Sequence, residues 1–79
     1  MTALACTIQE GLMPTEKIAR IQTADGEAEL VAVWVGNIKD GKLMVFEIGR
    51  REGRVLVELP RESASGRWRI WVNQSSIGG

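Results

Sequence analysis

The chain has 79 residues, ten basic and ten acidic side chains that cancel, 44% hydrophobic content, no histidine, no tyrosine and one cysteine. That length bounds it to a single domain, which buries only roughly 60% of its unfolded surface and leaves no room for two lobes around a cleft. The composition excludes a disordered chain, and the absent histidine and second cysteine exclude a Ser/His/Asp triad, a Cys/His pair and a zinc site made of such ligands.

In chain order, "TALACTI" (2–8) alternates Leu4, Cys6 and Ile8 against smaller residues, as a half-buried strand does. "GLMPT" (11–15) interrupts it, because Gly11 and Pro14 both oppose regular structure. Residues 1–15 are therefore read as an N-terminal strand and loop. "KIARIQT" then runs through Asp25-Gly26 into "EAELVAVWV", and Asp-Gly between two such runs predicts a hairpin with a type I′ turn. A helix over "PTEKIARI" is the lesser alternative, since β-branched residues and the following Asp-Gly oppose it. "LVAVWV" is apolar on both faces and reads as a central strand, with Trp34 in the core.

The same punctuation recurs. "KDGK" leads into "LMVFEI", "REGR" into "VLVEL" and "ASGR" into "WRIWV". Glycine turns at this rhythm predict an all-β, five- to six-stranded antiparallel meander closing into a small barrel, one domain over 1–79 with a frayed tail at 76–79.

"RWRIWV" (67–72) carries the one suggestive surface. Alternation places Trp68, Ile70 and Val72 toward the core and Arg67, Arg69 and Trp71 on the opposite face. Strand neighbours would bring Arg50, Arg51 and Arg54 close, and a cross-strand pair of Arg69 with Glu58 is expected. The candidate binding face is thus Arg50, Arg51, Arg54, Arg67, Arg69 and Trp71. Charge is polarised in support: residues 1–40 hold three basic against six acidic side chains, and residues 41–79 hold seven against four.

Three resemblances bear on fold and role. "WVNQSSI" (71–77) is similar to the last strand and 3₁₀ turn of SH3-like barrels, which implies that topology. "GRVLVELPRESASGRWRIWV" (53–72) resembles the closing strands of the OB-fold bacterial translation initiation factor, which makes an OB-like barrel the alternative. Gly78-Gly79 looks like the tail of ubiquitin-like sulfur carriers, which implies a carrier role through the terminal carboxylate.

The Ser63 and Ser65 hydroxyls sit in a turn where small polar residues serve the backbone. No phosphate-binding glycine loop occurs, and no cofactor or metal is expected. The leading expectation is a cytoplasmic, non-catalytic module that binds a protein partner or a second copy of itself, without a membrane role. Its support is an excess of apolar residues over what one small interior holds. A single-stranded RNA or DNA binder using the Arg/Trp face is the alternative, and the diglycine carrier is a minor third.

Overall fold

The computed structural model of the chain describes residues 1–78. It is a small all-β antiparallel protein with eight strands: β1 (Thr2–Leu4), β2 (Thr7–Glu10), β3 (Glu16–Gln22), β4 (Ala28–Trp34), β5 (Ile38–Lys39), β6 (Lys42–Arg51), β7 (Arg54–Glu58) and β8 (Arg69–Asn73). One sheet runs β1-β6-β7-β8 with β5 also on β6, and the other runs β2-β3-β4. These ladders leave two sheets and no closed barrel among the described residues. Two 3₁₀ turns, Val35–Asn37 and Gln74–Ser76, follow β4 and β8. None of the helical turns among the described residues is long and apolar enough to cross a membrane.

The glycine turns fall where the sequence places them, with Gly26, Gly41, Gly53 and Gly66 all at positive φ. At Asp40-Gly41 and Glu52-Gly53 both residues have positive φ, as a type I′ turn requires. Asp25-Gly26 differs from expectation. There only Gly26 is left-handed, and its N–H reaches the Thr23 carbonyl at 3.0 Å, so the hairpin turns through Ala24 and Asp25 and leaves on the glycine. Ser63–Arg67 repeats that geometry, with the Gly66 N–H on the Ser63 carbonyl at 2.9 Å.

"TALACTI" is two strands rather than one. Leu4, Cys6 and Ile8 all point at the core, as their alternation requires, but the chain turns the corner between them, β1 pairing with β6 and β2 with β3. Partial burial of Cys6 in this corner pushes its thiol pKa up, partly offset by a hydrogen bond with the Leu43 backbone.

The core between the sheets is wholly aliphatic: Leu4, Ala19, Ile21, Val31, Val33, Leu43, Val45, Val55, Val57, Leu59, Ile70 and Val72. Each buried Val, Leu or Ile contributes about 1.5–3 kcal/mol. All four aromatic residues lie outside it, with Trp34 64%, Phe46 50%, Trp68 53% and Trp71 36% exposed. Two expectations are corrected here. β4 is an edge strand, and alternation that buries Glu29, Val31 and Val33 turns Trp34 outward. Trp68 precedes β8, extending its ladder only through the Leu59 N–H to Trp68 carbonyl bond at 2.8 Å, and its side chain is half exposed.

The two halves of the chain repeat one plan. Ile38 pairs with Leu43 and Ile77 with Leu4, while Leu4 and Leu43 pair with each other; in both couples the counterparts stand 39 positions apart. The 3₁₀ turns match too: the residue entering each has φ, ψ of −66°, 140° (Trp34) or −71°, 145° (Asn73), and the residue leaving each is an isoleucine bonded back three positions. Each half also covers the other's last strand. The Ala24 N–H of the first turn donates to the Trp71 carbonyl on β8 at 2.8 Å, and the Ala64 N–H of the second donates to the Leu30 carbonyl on β4 at 2.7 Å. A pseudo-twofold axis therefore passes through the Leu4–Leu43 pair. The end read as a loose tail belongs to this plan as far as Gly78, whose N–H bonds the Ala3 carbonyl at 3.2 Å, while Gly79 lies outside the described residues.

Candidate interaction surface

The outer face of β6, β7 and β8 gathers part of the expected patch. Register puts Phe46, Glu58 and Arg69 in one row across the strands, Gly49, Leu56 and Trp71 in the next, and Arg51, Arg54 and Asn73 in the third. Arg51, Arg54, Arg69 and Trp71 are thus brought together. Arg50 is not.

A β-bulge explains the exception. Glu47 pairs with Val57 and Gly49 with Leu56, so Ile48 is an extra residue and the alternation of β6 inverts after it. Glu47 and Arg50, which strict alternation would set on opposite faces, end on the same inward-directed side. There the Arg50 guanidinium donates twice to the Glu47 carboxylate, at 2.8 and 3.0 Å. That hydrogen bond, with the arginine's charge, holds the Glu47 carboxyl below its ordinary 4.5.

Arg67 also leaves the patch, because it closes the 63–67 turn. Its Nε stands 3.7 Å from Oε2 of Glu29, a carboxylate only 5% exposed. The Ser65 hydroxyl donates to the other Glu29 oxygen at 2.7 Å, and the Arg67 N–H donates to Ser63 Oγ at 3.1 Å. The two serines therefore hold the turn against β4, which fits the backbone role read from the sequence. Glu29 lies two positions before Val31 and four before Val33, so the alternation that buries those valines also buries its carboxylate.

Ion pairing decides what the remaining arginines can offer. Arg69 bonds Glu58 at 3.1 Å, the expected cross-strand pair, and Arg54 reaches Asp25 at 3.4 Å. With Arg50 on Glu47 and Arg67 on Glu29, four of the six candidate residues are arginines that carry an acidic partner. Arg51 is the one arginine of the six without an ion pair among the described residues.

The face also holds apolar residues that the sequence reading left out. Phe46 and Ile48 are half exposed, and Leu56 lies between Gly49 and Trp71. Where Gly49 lacks a side chain nothing approaches within 4 Å, so the sheet is hollowed at that row. Beside it a cavity of about 520 Å³ is lined by Arg51, Glu52, Arg54 and Trp71. A second apolar area lies on the outer face of the other sheet, where Ile18, Leu30, Ala32 and Ala64 line a shallower hollow of about 350 Å³.

Compared with known proteins, the chain matches no protein family, no curated protein and no solved structure.

Proposed function

We propose that the chain is a non-catalytic binding module that docks a protein partner, or a second copy of itself, through the outer face of β6, β7 and β8. The observation that carries this reading is the placement of the aromatics: an aliphatic core is complete without them, and two of the four, Phe46 and Trp71, stand exposed on this face. Trp, Phe and Arg are the residues on which protein interfaces concentrate their binding energy. The arginines support a nucleic-acid role less well, because most are already neutralised and affinity for a phosphate backbone scales with free cationic contacts.

An SH3-like barrel is the finer fold we infer. In its support, β6 is one long strand whose first half pairs with β1 and whose second half, past the bulge, pairs with β7. The 3₁₀ turn after β8 then returns Ile77 to Leu4.

Photo-crosslinking tests the function. A benzophenone amino acid at position 46 should give adducts of protein mass in cells, including any with the chain itself, at several times the yield from position 10 on exposed β2. Adducts to RNA alone at position 46, or equal yields at the two positions, would refute the reading.

A further inference from the structure

We propose that the hollow formed by Arg51, Arg54 and Trp71 is a receptor for a single carboxylate carried on an apolar segment of the partner, a proposal that rests on the protein-binding reading above. Arg51 and Arg54 face each other directly across β6 and β7, beside the tight turn at Glu52-Gly53. Like charges placed opposite each other on adjacent strands repel, and of these two only Arg54 carries an acidic partner among the described residues. An anion between them would turn that repulsion into two charge-assisted hydrogen bonds.

The molecule already shows the type of anion that reaches this place. The first turn leans over the β8 edge, its Ala24 N–H on the Trp71 carbonyl at 2.8 Å, and so delivers the Asp25 carboxylate to within 3.4 Å of Arg54 Nη1. Asp25 remains mostly exposed and leaves Arg51 unpaired. Room for a second carboxylate therefore remains on the Arg51 side.

The surroundings select the rest of the ligand. Trp71, Leu56, the bare Gly49 row and Phe46 lead away from the arginines as an apolar track, which suits leucine-like side chains next to the carboxylate. Glu52 lines the hollow, Asp25 reaches Arg54 at its edge, and Glu58 stands two rows along the same face, beside Phe46. A strand of successive phosphates would meet those three carboxylates, whereas one isolated carboxylate avoids them.

The test uses the ¹⁵N-labelled 79-residue chain and three probes: a short blocked peptide with one glutamate flanked by leucines, the same peptide with glutamine, and oligouridylate. The glutamate peptide should move the Arg51 and Arg54 side-chain signals and the Trp71 indole together. The glutamine peptide should bind about tenfold more weakly, and R51Q should lose the same factor while keeping the wild-type amide dispersion. Equal binding of the two peptides overturns the carboxylate receptor but leaves the protein-binding reading standing. Tighter binding of oligouridylate overturns both. No shift with any probe overturns the receptor, and crosslinking from position 46 then decides the wider reading.

Discussion

The indole of Trp34 is folded over Gly36, so closely that a Cβ on Gly36 would lie 2.2 Å from ring carbon Cζ3. The ring covers a backbone rather than filling a core, and it is two-thirds exposed. Gly36→Ala must push it away. Because the ring moves into solvent and alanine restricts the unfolded chain, the net change in stability should stay within about 1 kcal/mol. The Trp34 indole and residue 36 amide signals should nevertheless shift strongly, since ring and amide part. Unchanged spectra would show that the ring does not lie there.

Glu29 fastens the second turn to the edge of β4, accepting from Ser65 at 2.7 Å in a buried position. Glu29→Ala leaves the Ser65 hydroxyl without that acceptor and should cost about 1–3 kcal/mol in a denaturant titration. Glu29→Gln keeps an acceptor oxygen and should cost less. In both, the Ala64 amide, whose N–H bonds the Leu30 carbonyl, should lose hydrogen-exchange protection before the core amides do.

Acid should act on the bulge pair. The folded-state pKa of Glu47 lies below its ordinary 4.5, because Arg50 hydrogen-bonds the charged form. Its contribution to stability is therefore present at pH values above 4.5 and is lost as pH falls through the folded-state value. Carbon-detected titration of the Glu47 carboxyl should show a depressed midpoint that returns to the ordinary range in Arg50→Gln. An unchanged midpoint in that variant would place the cause elsewhere.

Pseudo-symmetry makes the Asp40-Gly41 turn the counterpart of the chain ends, which β1 and Ile77 hold side by side. A circular permutant that tethers Gly79 to Met1 and opens the chain between Asp40 and Gly41 should therefore fold, with an unfolding free energy from denaturant titration within about 2 kcal/mol of the parent. Opening between Val31 and Ala32 in β4 should abolish folding. Equal tolerance of both cuts would contradict the two-half plan.

Much of this fold is legible in residue order. Turn glycines and core alternation in "VLVEL" follow from local rules that need no knowledge of neighbours, and the Arg69–Glu58 pair needs only that consecutive strands of a meander lie side by side. Three features were hidden for physical reasons. "LVAVWV" looks buried on both faces, but apolarity does not say whether a partner strand exists, and β4 has a neighbour on one side only. Ile48 is an ordinary strand residue until the bulge shifts its register, and that shift alone removes Arg50 from the candidate face. The duplication escapes notice because its halves share backbone geometry while their side chains differ, Asn73 entering the second 3₁₀ turn where Trp34 enters the first.

The mutual covering of edge strands sets how this chain would fail. The stretch from Leu30 to Trp34 is short, uncharged and rich in β-formers, the composition that stacks into cross-β fibrils once its backbone is free. The second turn, through Ala64, Ser65 and Arg67, is the guard on that strand. Loosening it weakens the fold by only part of its stability but opens a templating edge, so damage near Glu29 would first be seen as loss of solubility, before the protein melts.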